Sequence, residues 1–218
     1  MAGELPSRRR LVVLAVAVEG GLGLLALGLG AWLGVPPLAS LHWTATGVGW
    51  GLAGSLPMLV LIAATPRLRL WPFPEIHRVI DELLVPLFRD CGLIDLAVIA
   101  GLAGLGEEML FRGVAQPAVA QWVGGPWAPW IGLAAAALLF GLAHPITFGY
   151  VVLAAAMGLY LGWLLIATDN LLVPVLAHGL YDFIALVWLV KARPSPVGWI
   201  DKANGDGPRE PVDPADSP

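Results

Sequence analysis

Residues 93–116, LIDLAVIAGLAGLGEEMLFRGVAQ, decide how this chain is read. Thirteen apolar or small residues precede two adjacent carboxylates, Glu107 and Glu108, and a cation follows at Arg112. About 20 mostly apolar residues span a bilayer core, so this stretch is long enough to cross while carrying charge at its middle. Each ionisable side chain at that depth costs roughly 2.5–3.5 kcal/mol on insertion scales, and such residues line a cavity or pair with one another. Glu108 and Arg112 are four apart and share a helix face, with Glu preceding Arg, the favoured order. Glu107 lies about 100° round the helix, which leaves one carboxylate with no partner in its own segment.

The whole chain agrees with a membrane setting. Of 218 residues, 58% are hydrophobic and 13% charged, against roughly 25% charge in a soluble domain. That excludes an ordinary cytosolic enzyme and a disordered protein. The net charge of −4 offers no basic face to a nucleic acid. The single Cys excludes a disulfide framework and a cysteine-rich metal site. Apolar segments near 11–35, 45–64, 93–116, 128–146, 149–168 and 171–190 predict an all-α polytopic bundle of about six transmembrane helices. The first segment is too long for the core of a signal peptide and shows no clear cleavage site, so an uncleaved anchor is expected.

Charge predicts the orientation. With six spans, every Lys and Arg except Arg112 falls on one side: Arg8, Arg9 and Arg10 before the first span, Arg67, Arg69, Arg78 and Arg89 between the second and third, and Lys191, Arg193, Lys202 and Arg209 after the last. The positive-inside rule then puts both termini in the cytoplasm of a cell-membrane protein. Residues 72–91 place Ile76, Val79, Ile80, Leu83, Leu84 and Leu87 at helical spacing among charged residues, the pattern of an amphipathic helix on the cytoplasmic interface. Gly30/Gly34, Gly47/Gly51 and Gly158/Gly162 give GxxxG spacings suited to close helix contact. Trp32, Trp43, Trp71, Trp127 and Trp130 fall near span ends as an interfacial belt. Three regions follow: 1–92, with two spans and the amphipathic helix; a four-helix core, 93–190; and a disordered tail, 191–218.

Two further polar groups lie in spans: Phe140-Gly141-Leu142-Ala143-His144 and His178-Gly179-Leu180-Tyr181-Asp182, the latter with His178 and Asp182 four apart. The ordered set EExxxR, FxxxH, HxxxD resembles the signature of the CPBP (ABI) family, the CAAX-processing and bacteriocin-processing intramembrane endopeptidases. The resemblance covers about residues 93–190. It implies Glu107 as the base that activates water, with His144 helping to hold that water. It implies His178 at the oxyanion with Asp182 orienting it, and Glu108–Arg112 as a structural pair. A metal-bound version would place Zn²⁺ on Glu107, His144 and His178 with an open position for water. No HExxH is present, and the metal-free version is the one adopted. The expected substrate is a membrane-associated peptide or protein; the oligomeric state is left open. Two other classes compete: a proton-coupled transporter, since intramembrane His and carboxylates also form relays, and a non-catalytic membrane scaffold or immunity protein. Glu19, in the middle of the first span and outside the signature, has no assigned partner.

One tension arises from the spans. Glu107 lies about 21 Å along a helix starting at 93, at 1.5 Å per residue, whereas His144 closes the following span. The connection after His144 must dip into the bundle, or the third span must start later, for the two to meet.

Overall fold

A computed structural model describes residues 5–192; the expected tail from 193 onward lies outside the described residues, with Arg193, Lys202 and Arg209. The described chain contains helices and no strand. Helix α1 runs Arg8–Leu33, α2 Ala45–Ala64, α3 Phe73–Val79, α4 Val85–Phe88, α5 Leu93–Leu110, α6 Gln116–Val123, α7 Ala128–Leu142, α8 Phe148–Thr168 and α9 Leu172–Val187. The protein is a multi-pass helical membrane bundle. Its outer surface is apolar: Leu24 is 71% exposed, Val60 67% and Ile94 80%, which in water would be a large uncompensated patch and in lipid is the ordinary outer face.

By length and composition, four stretches can cross a membrane: Arg8–Leu33, Ala45–Arg67, Phe148–Thr168 and Leu172–Lys191. Two of the six expected spans differ from this pattern. Helices α5 and α6 form one rod through a π-helical turn at Phe111–Ala115, and that rod carries Asp95, Glu107, Glu108 and Arg112. Pro117 explains the turn: it has no N–H for the carbonyl of Gly113, and a missing donor favours a local change of helical pitch. A second π-helical turn, Ile80–Leu84, precedes Pro86 in the same way. The other difference is α7. It stops at Leu142 with 15 residues, about 22 Å long, instead of continuing to 146.

The short α7 resolves the tension over depth. It packs antiparallel to α6 and the π turn and ends beside the middle of the α5–α6 rod, so the turn that follows it meets Glu107. The space beneath is filled by α3 and α4. Residues 72–91 thus do form an amphipathic helical stretch, and it lies against the bundle. Ile76 and Ile80 are buried with Leu189, beside Ile62, Tyr150 and Leu153. Polar and aromatic contacts tie it down: the backbone N–H of Gly149 donates to Glu75 at 3.0 Å, and Trp71 stacks on Phe148.

The ends of the bundle sort the loops. Arg8 reaches Asp95 at 2.7 Å, Lys191 donates to the carbonyl of Arg89, and Leu11, Cys91 and Leu96 are buried with Leu186 and Val187. The start of α1 and the end of α9 are therefore at one end. At the other, Asn170 exchanges hydrogen bonds with the backbone of His42.

Close helix approach depends on small residues, because apolar burial gives no drive between helices in lipid. Gly47 and Gly51 face Asn170 and Leu176, and Gly158 faces Ala137, as GxxxG contacts should. Gly30/Gly34 does something else: Gly34 takes φ +70 as the left-handed stop of α1, and its N–H donates to the carbonyl of Gly30. Gly104 of α5 crosses directly on Gly179 of α9, where a Cβ on Gly104 would lie 2.7 Å from the Gly179 nitrogen. Backbone cannot yield as a side-chain end can, so Gly104→Ala should destabilise the bundle by about 1–3 kcal/mol, read as a lower unfolding midpoint in detergent.

Candidate active site

The Gly104–Gly179 crossing sets the site. One turn further along α5 come Glu107 and Glu108, and the residue before Gly179 is His178. Glu108 and Arg112 are fully buried, and Arg112 Nη1 donates to Glu108 Oε1 at 2.7 Å. Arg112 Nη2 donates to the carbonyl of Gly158 at 3.0 Å, and its guanidinium lies 4.5 Å from the centre of the Phe140 ring. The same Glu108 Oε1 accepts from His178 Nδ1 at 2.9 Å. Glu108 thus binds α5, the π turn and α9 into one polar knot, with Arg112 extending it to α8.

His178 Nε2 is 3.4 Å from Asp182 Oδ2. Both ring nitrogens therefore face carboxylates, and only the doubly protonated ring has an N–H for each. His144 is held differently. Its Nδ1 is 2.7 Å from the carbonyl of Phe140. A carbonyl can only accept, so Nδ1 carries the proton and the neutral ring presents a lone pair at Nε2. That nitrogen is 3.9 Å from Glu107 Oε2, an oxygen with no hydrogen-bond donor among the described residues.

These groups open onto one chamber of about 320 Å³. Glu107, His144, His178 and Asp182 all line it; Glu108 and Arg112 do not, being sealed behind. Exposure makes the same division: the His144 and Asp182 side chains keep 26% and 29% of their surface, Glu108 and Arg112 none. The rest of the wall is apolar, with Leu61, Ile80, Leu153 and Met157 among its residues. The arm formed by α3 and α4 supplies Ile76, Ile80, Leu84 and Phe88.

The signature did not point to three members of the wall. Tyr150 and Tyr181 line the chamber; a tyrosine in an apolar span gives no sequence signal that separates it from core. Glu19, noticed only as a stranded acid, is also in the wall.

The fold and this chamber define a multi-pass helical protein with a cavity among its helices that gathers carboxylates and histidines. A family model described as Type II CAAX prenyl endopeptidase Rce1-like matches residues 90–184. That stretch, from just before α5 almost to the end of α9, is similar to this endopeptidase family. No curated protein and no solved structure gives a match to the chain.

Proposed function

We propose that the protein hydrolyses a peptide bond of a membrane-associated peptide or protein, in the manner of a CAAX protease, with Glu107 as the base. The observation that carries this reading is that Glu107 Oε2 and His144 Nε2 face each other at 3.9 Å, too far for a direct hydrogen bond, and that Glu107 Oε2 has no other donor among the described residues. A water between them donates to both and keeps its lone pairs free for attack. As its oxygen bonds to the scissile carbon, Glu107 takes the proton. The carbonyl oxygen becomes an anion beside His178, and the Nε2–H, held by Asp182 only at 3.4 Å, turns to donate to it; one such donor is worth about 2.7–4 kcal/mol. Asp182 and Glu108 hold that ring in place. When the C–N bond breaks, Glu107 returns the proton to the leaving amine; the products are a carboxylic acid and an amine, which in water become a carboxylate and an ammonium.

No step is routed through a metal ion. Both nitrogens of His178 are engaged with carboxylates, and Nδ1 of His144 with a carbonyl. Of the set Glu107, His144 and His178, that leaves Glu107 and one nitrogen of His144, fewer than the three protein ligands of a catalytic zinc. Among the described residues no group of three or more His, Cys, Asp and Glu stands at metal-binding spacing.

The decisive experiment incubates the purified protein in detergent with a library of membrane-soluble peptides, beside Glu107→Ala. Cleavage by the first and none by the second is expected; equal cleavage, or none by either, removes the reading. The catalytic unit in this account is the four-helix core 93–190.

The arrangement of basic residues further favours six passes with both termini in the cytoplasm of the cell membrane. Reporters fused within 117–127 and after the last helix should fall on opposite sides. Fusions on the same side would contradict it.

A further inference from the structure

Glu19 is contributed by α1, outside the matched residues 90–184 and outside all three motifs. Its neighbours Val16 and Val18 are 40% and 57% exposed and face outward. Glu19 instead lines the chamber with Glu107, His144, His178 and Asp182. Its position is set by backbone: α1 presses on α5 at Gly106, where a Cβ would run into the carbonyl oxygen of Glu19. The contact is one residue before Glu107. Oε2 of Glu19 is buried and has no hydrogen-bond donor among the described residues. A carboxylate kept for packing would be paired, as Glu108 is with Arg112. This one is positioned against the reacting groups and left with an open acceptor.

The charge around it selects the donor. Among the described residues, Glu19, Glu107 and Asp182 bring three carboxylates to the wall, and the two histidines are its only basic groups. Arg112 is behind it, spent on Glu108 and Gly158. An anionic group would enter against that field, whereas a cation would meet an acceptor already desolvated, where a charge-assisted hydrogen bond is strong. The apolar wall at Leu61, Leu153 and Met157 suits the aliphatic stem of a long basic side chain.

We propose that Glu19 is a substrate-binding residue of the chamber, and that it receives a Lys or Arg side chain of the bound peptide close to the bond that is cut. The proposal rests on the protease reading for the nature of the ligand, and its test does not depend on turnover. The probes are decanoyl-lysine amide and decanoyl-norleucine amide, which share their apolar parts and differ by the ammonium. Binding to the full chain in detergent is followed by tryptophan fluorescence. The wild-type protein should prefer the lysine probe by about tenfold. Glu19→Gln should bring the two probes within about twofold, with norleucine binding unchanged. Glu19→Leu, whose side chain suits a membrane span and guards against loss of the amide variant, should do the same. Glu107→Gln should keep the preference.

Equal binding of the two probes by the wild-type protein overturns the proposal. So does a preference that survives Glu19→Gln or Glu19→Leu, or one that Glu107→Gln abolishes. The hydrolysis assay with Glu107→Ala fails or succeeds independently of these outcomes. Where a peptide is cleaved, Glu19→Gln should raise KM for basic peptides more than for neutral ones, a split that a purely structural role would not give.

Discussion

Glu107→Gln should lower peptide hydrolysis by roughly 10²–10⁴-fold, the contribution of a positioned general base, while the unfolding midpoint stays the same or rises. The two halves of this result have one cause. Glu107 Oε2 is buried with no protein donor among the described residues, so its charge is met only by the chamber's water and less of its desolvation is repaid than for a paired carboxylate. An amide of nearly equal shape removes that charge and cannot accept the water's proton. Gain of stability with loss of activity is the mark of a group held for chemistry. Measuring kcat and the thermal midpoint on the same preparation checks it. A variant that is both inactive and unstable would make Glu107 a packing residue.

Its neighbour should behave in the opposite way. Arg112→Met keeps much of the side-chain volume but strips the fully buried Glu108 of its guanidinium partner. Breaking one half of a buried pair leaves an uncompensated charge and typically costs 3–5 kcal/mol. Here the carbonyl of Gly158 also loses its Arg112 donor. The unfolding midpoint should fall sharply, and activity should fail through loss of folded protein. Glu108→Gln/Arg112→Met, which removes both charges, should recover much of the loss. If the double variant is less stable than Arg112→Met alone, the two side chains are not a compensating pair. Adjacent carboxylates, Glu107 and Glu108, would then be separated by opposite responses: one replaceable at no cost in stability, the other not.

The Glu108–Arg112 pair was legible in the residues. The i, i+4 spacing of Glu108 and Arg112 states the pair before any fold is known, and the same spacing joins His178 to Asp182. The apolar runs state the helices. Other features were not legible, for physical reasons. Pro145 marks a stop near the end of α7, but it does not say that the last helical residue is Leu142. The bond from Glu108 to His178 joins residues 70 apart, and depends on a crossing of two glycines whose pairing no local pattern encodes. Gly30/Gly34 carries the same spacing as Gly47/Gly51, yet it ends a helix where the other joins two. The inward turn of Glu19 is of the same kind, since an acid in an apolar run shows its cost and not its direction.

The short α7 also has a consequence for the lipid around the protein. At about 22 Å it falls some 8 Å below the roughly 30 Å of hydrocarbon that a typical bilayer presents, whereas α8 beside it has 21 residues, enough for the full span. On that flank the protein is in hydrophobic mismatch, and a bilayer answers a short wall by thinning against it. Thinning brings the headgroup water down toward the turn that carries His144. The membrane itself thereby becomes part of how water reaches the chamber, and bilayers of shorter acyl chain should support faster turnover than long-chain ones in reconstituted vesicles.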